Sequence, residues 1–117
     1  LNKTQNIIAA LLKAGLKAFP PAVHEGLCRS PYCVVQVLSS ALLCPSGGYV
    51  RYRVHLYVSA HRSTDMDALA LSVRKALLPC ETEGWLTLAQ PCGTVSVSDA
   101  YRAAYSFIDY VSYYSEM

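Results

Sequence analysis

Three histidines and five cysteines are the side chains with the most scope for chemistry in this 117-residue chain. His24 and Glu25 open the zinc-protease pattern HExxH, but the second histidine position is Cys28, and the pair follows two prolines instead of lying within a helix. Nor does the HxE with PCxxC pairing of the zinc deaminases occur. Cys28, Cys33, Cys44, Cys80 and Cys92 are odd in number and have no CxxC spacing, so they specify neither a complete disulfide framework nor a zinc knuckle. They read as small hydrophobes. His55 or His61 beside a cysteine could form a base and nucleophile pair, which would need a thiol of depressed pKa. The chain has no GxSxG elbow, no phosphate-cradling glycine loop and no carboxylate pair placed to raise one pKa. The expectation is a binding or assembly protein, not an enzyme, with no metal and no cofactor.

The clustered cationic feature is the row Arg51, Arg53 and His55. It lies on a strand and reads as a solvated face, with an anionic ligand as the alternative. A net charge of +2 and the lack of a Lys or Arg run argue against sequence-specific nucleic-acid binding.

The stretch that must position this row organises the chain. Residues 49–58 alternate, with Val50, Tyr52, Val54, Leu56 and Val58 on one face and Tyr49, Arg51, Arg53, His55 and Tyr57 on the other. After Ala60 the period changes to about 3.6 residues. Met66, Leu69, Ala70, Val73 and Leu77 then form one stripe, with Ser63 or Thr64 as cap, Asp65 and Asp67 in the first turn and Pro79 as the stop. A helix that follows a strand directly can fold back on its sheet, so this stripe is expected to cover the Val50 to Val58 face.

The remaining elements follow from similar signals. Residues 4–18 carry Ile7, Ile8, Leu11, Leu12 and Leu16 at helical spacing before Pro20 and Pro21, with Gly15 as a weak point. The apolar part is shorter than the ~20 residues of a membrane span, and PPAVHEG lacks a small-x-small cleavage pattern. A loop bearing His24 precedes a strand at residues 32–43. Residues 44–48, CPSGG, read as the turn of a long antiparallel hairpin. Two short strands are expected at residues 85–89 and 94–97, with Trp85 as an anchor on the core or on another chain. Residues 101–114 fit a strand or a helix by period, and their Tyr and Phe density favours a strand. They hold more tyrosine than one buried face requires, so some should meet another surface. The expected fold is α+β, one domain over residues 1–117, with a mostly antiparallel sheet and a long β-hairpin packed by two α-helices.

Four segments together resemble the tail terminator, or tail completion, proteins of long-tailed bacteriophages: IIAALLKAG, PYCVVQVLSS, YRVHLYVSAHRSTDMDALALSVRKAL and YRAAYSFIDYVSYY. The resemblance spans nearly the whole chain except residues 79–99, and PYCVVQ with the VHLYVSAHRSTDMDALALSVRKAL stretch carries most of it. It implies a virion structural protein assembled in the host cytoplasm. Such subunits form a ring, typically hexameric, that caps the head-proximal end of the tail tube, stops its growth and offers a surface for head attachment. The implied partners are further copies of the chain, the tail tube protein and the head-tail connector protein, with genome DNA passing through the ring and no membrane.

A ring needs contact between two different patches of one subunit. The candidates are the hairpin tip and its flanks, Pro45, Ser46, Gly47, Gly48, Tyr49, Arg51, Arg53 and Tyr57, together with Trp85 and the C-terminal Tyr110, Tyr113 and Tyr114. A head-tail connector or neck protein remains an alternative, as do a small α+β module binding an anionic ligand through Arg51, Arg53 and His55, and a thiol-dependent enzyme.

Overall fold

A computed structural model of the chain describes residues 3–21, 31–44, 47–91, 94–98 and 103–115. Its architecture is α+β, with a mostly antiparallel six-stranded sheet and two α-helices. The first helix, α1, is Thr4–Lys13, and it leads to a two-residue strand, β1, at Ala18–Phe19. Strands β2, Tyr32–Cys44, and β3, Gly47–Ser59, form the hairpin, and a 3-10 turn at Ala60–Asp65 passes into α2, Met66–Glu83. The short strands β4, Thr87–Gln90, and β5, Ser96–Ser98, precede the long β6, Ala103–Ser115.

The sheet order is β1-β2-β3-β6-β4, with β5 also on β6. Only the β1 to β2 pairing is parallel. Strand β3 is central, and every residue from Gly47 to Ser59 is matched with one from Ser115 to Ala103. Strand β6 therefore accompanies the hairpin along its whole length, and the hairpin is two parts of a three-stranded slab instead of a free arm. Thirteen extended residues span about 43 Å, close to the 49 Å longest dimension of the molecule. The ten residues of α1 and the eighteen of α2 reach only about 15 Å and 27 Å.

Both helices lie on one face of the sheet. Val50, Tyr52, Val54, Leu56 and Val58 are buried there with Cys33, Val35, Ala104, Ile108 and Tyr110, against Ile7, Ile8 and Leu11 of α1 and Met66, Leu69, Ala70, Val73 and Leu77 of α2. The period-2 face and the period-3.6 stripe expected from sequence thus meet each other. Fully removing each Leu, Ile or Val side chain from water is worth roughly 1.5–3 kcal/mol, so this interface is the main source of stability.

Element boundaries differ from expectation at several points: β1 is an added strand, β4 and β5 each start two residues later than expected, and four further differences have a local cause. Helix α1 stops at Lys13, not Ala18, because Gly15 adopts a left-handed φ of 85°. The Leu16 N–H then reaches Leu11 O and the Gly15 N–H reaches Leu12 O, which satisfies the last carbonyls of the helix. The N-cap position of α2 is Asp65, not residue 63 or 64; the 3-10 turn feeds into the helix there, with no side-chain cap bond. Pro79 lies inside α2 on the exposed side, and the helix runs on because Cys80 is buried on the core side, until Gly84 ends it at φ 89°. Gly47 and Gly48 belong to β3 and are buried, so they are not part of the turn.

Candidate functional site

The face of the sheet opposite the helices carries the residues of interest. Alternation along β3 and its register with β2 and β6 place Tyr32, Val34 and Gln36 beside Tyr57, His55 and Arg53, which in turn face Tyr105, Phe107 and Asp109. Nearer the hairpin tip, Arg51 stands opposite Val111 and Tyr49 opposite Tyr113. No helix among the described residues covers this side.

At one end the face is a tier of packed aromatic rings. Tyr32 and Tyr57 stack with centroids 4.8 Å apart and 14° between planes, Tyr57 lies 5.2 Å from Tyr105, and Tyr105 lies 6.2 Å from Phe107. Phe19 meets Tyr32 edge-on at 6.0 Å. The rings contact one another in series across the three strands β2, β3 and β6.

His55 is clamped within this tier. Its Nε2 lies 2.7 Å from Gln36 Oε1 and its Nδ1 2.9 Å from the Tyr105 hydroxyl. With the amide oxygen as acceptor, Nε2 donates and Nδ1 accepts from Tyr105, which fits the neutral imidazole. Burial, and then the nearby Arg53 charge, hold the His55 pKa below its ordinary value. Both ring nitrogens are occupied, so His55 is not the base of a thiol pair.

Arg53 is not a free cation. It binds Asp109 through two bonds, Nε to Oδ1 at 2.8 Å and Nη2 to Oδ2 at 3.0 Å, and its guanidinium carbon lies 3.8 Å over the Phe107 ring. The hydrogen bond to Asp109 raises the Arg53 pKa further. The cationic row read from sequence is therefore interrupted: Arg53 is neutralised across the sheet, His55 is held neutral, and Arg51 remains exposed. Arg51 borders an open cleft of about 320 Å³ with Tyr49, Val111, Tyr113 and, from β4, Thr87, Leu88 and Ala89. Tyr49 and Tyr113 meet edge-on there at 6.3 Å, and Tyr113 is 60% exposed.

The remaining sequence candidates divide. Tyr110 is a correction: it points to the helix side and is fully buried, so it cannot meet a partner. Trp85 is half-buried against the core, with Lys3 Nζ 5.2 Å over its ring and its indole N–H donated to Glu83, which fits the anchoring reading. Pro45, Ser46, His24, Glu25 and Cys28, and the side chains of His61 and Tyr114, lie outside the described residues. Of the two cysteines whose surroundings are described, burial pushes Cys33 up to about 12 and raises Cys80 as well, the wrong direction for a nucleophile. Among the described residues, no group of His, Cys, Asp and Glu is placed to hold a metal ion.

Sequence reasoning missed Asp109, Gln36 and Tyr105 as members of this face. Asp109 is the single charge in β6, which was a usable signal, but its partner is set by a register spanning 56 positions. Set against family models and curated proteins, the chain matches none, so its function is read from its own residues and geometry.

Proposed function

We propose that this chain is a virion assembly subunit, a tail terminator whose copies form a ring at the head-proximal end of a long-tailed phage's tail tube, end tube growth and present the head-attachment surface. The observation that carries the reading is a sheet that, among the described residues, is packed by helices on one side only and carries on the other a long aromatic face running to a three-stranded end. That arrangement suits recognition by shape. The stretches that carry the resemblance coincide with β2 and with β3 through α2. The raised thiols and the occupied imidazole add to it, since neither is poised for nucleophilic chemistry.

The test is to add the purified chain to tail tubes assembled without a terminator. Tubes that stop at uniform length and carry a terminal ring in electron micrographs support the proposal. Tubes that keep growing, with no ring bound, overturn it.

The exposed Arg51 beside its cleft favours a second reading, an anion-binding module. That reading requires salt-dependent binding that disappears in Arg51→Ala. Arg53 has no part in it, because Asp109 already neutralises that side chain.

A further inference from the structure

Charge is arranged across this sheet in the reverse of the usual order. Arg51 and Arg53 lie on the central strand, and Asp109 lies in the middle of its neighbour. Strand β2 has no charged residue and no proline, and neither has β6 from Tyr110 to Ser115. Proteins that remain monomeric guard open sheet edges with lysine, proline or a cover, because an unpaired row of N–H and C=O groups will accept another strand.

Among the described residues, both of these strands have edges that are paired over only part of their length. On its outer side β2 pairs with β1 at Cys33 and Val34 alone. The outer side of β6 pairs with β5 at residues 103–105 and with β4 at residues 109–111. Among the described residues, no strand pairs with the outer side of β2 beyond Val34 or of β6 beyond Val111. Residues 38–40 are exposed, and the bulge there presents Leu38, 39% exposed, instead of a charge.

The two edges are different, lie on opposite sides of the slab and run in the same direction, since each strand is antiparallel to β3 between them. Rotating a copy about an axis along the strands preserves that direction, so β6 of one copy meets β2 of the next in parallel. The cleft at Tyr49, Arg51 and Tyr113 borders the β6 edge. Ser39 and Ala41, which β2 turns to the same face, are small enough to let another strand approach it.

We infer that copies of this chain join edge to edge, the outer side of β2 around residues 38–42 adding as a parallel strand to the outer side of β6 beyond Val111 in the next copy. The contact is head-to-tail and propagates until it closes. It deepens the ring reading above by naming the join, and it rests on that reading only for closure.

The test follows the full chain by light scattering over a concentration series, with amide hydrogen exchange on the dilute and concentrated samples. A larger species with added protection at residues 38–44 and 113–115 is expected. Leu38→Lys with Ser40→Lys raises the concentration needed for that species by about tenfold or more, with an unchanged circular dichroism spectrum, while Ser40→Thr leaves assembly intact. If the lysine variant does not fold, the exchange data on the wild-type chain decide alone. A larger species unprotected at these edges overturns the join and leaves the ring reading standing. An open filament protected at both edges supports the join and removes the ring. A monomer at every concentration overturns the join.

Discussion

Tyr52 and Tyr110 lie directly opposite each other on β3 and β6, both fully buried, and differ in one atom's surroundings. The Tyr52 hydroxyl accepts the Lys3 backbone N–H at 2.7 Å, which ties the start of α1 to the sheet. The Tyr110 hydroxyl has no hydrogen-bond partner among the described residues. Desolvation raises the pKa of both phenols.

The same substitution should therefore have different effects at the two positions. Tyr52→Phe strands a backbone donor and costs about 1 kcal/mol, whereas Tyr110→Phe removes an unsatisfied group and is neutral or stabilising by up to about 1 kcal/mol. Urea unfolding of both variants checks this through the midpoints. Equal losses at the two positions would refute the assignment of partners.

A second prediction concerns the cross-strand ion pair. Arg53→Ala leaves the Asp109 carboxylate, only 6% exposed, without its counter-charge. The cost is about 2–3 kcal/mol, below the range for a fully buried pair because the Arg53 side chain keeps 28% of its exposure. Asp109→Ala costs less, since the released guanidinium can turn to water. A double-mutant cycle on unfolding free energies should give favourable coupling, and additivity within error would show the pair to be independent.

Neutral His55 makes stability depend on pH. Its folded pKa lies below the ordinary 6.5, so the unfolded chain binds more protons in the window between the folded value and 6.5. The contribution is fully present above 6.5 and is lost as pH falls through that window. The melting temperature should drop between about pH 7.5 and about pH 5 by more in the wild type than in His55→Gln. Equal slopes would mean that the imidazole titrates normally.

Thiol reactivity gives a fourth test. With Cys33 pushed up to about 12 and buried, and Cys80 raised, neither should react with a thiol reagent near neutral pH until the chain unfolds. Mass spectrometry of the alkylated peptides reads this directly. Fast labelling of Cys33 in the folded protein would contradict its placement under α1.

Much of this fold was legible locally. The alternation in residues 49–58 and the stripe from Met66 to Leu77 each record one buried face, because a two-residue or 3.6-residue period is a property of neighbouring positions. Gly15 and Pro79 mislead for a different reason. A glycine at the end of a helix looks like a weakness until its left-handed φ closes the helix, and a proline that normally stops a helix is overridden when the next residue is pulled into the core. Tyr110 reads as an outward residue because alternation along β6 defines two faces without saying which one the helices cover. The Arg53 to Asp109 pair is not legible from either strand alone: the lone charge in β6 signals a partner, but its identity is fixed only once the two strands align.

That long-range register also sets a clock. The β2 to β3 hairpin closes over a loop of only a few residues, and hairpins form within about 1–10 μs. Strand β6 must find β3 across a separation of 56 positions at Arg53 and Asp109, and pairings so distant in sequence slow folding toward the millisecond-to-second range. Until β6 arrives, the side of β3 that it will occupy is exposed. The slowest strand pairing in the folding of this sheet is therefore expected to be the docking of β6, and slip in that docking is the error against which the single Arg53 to Asp109 match selects.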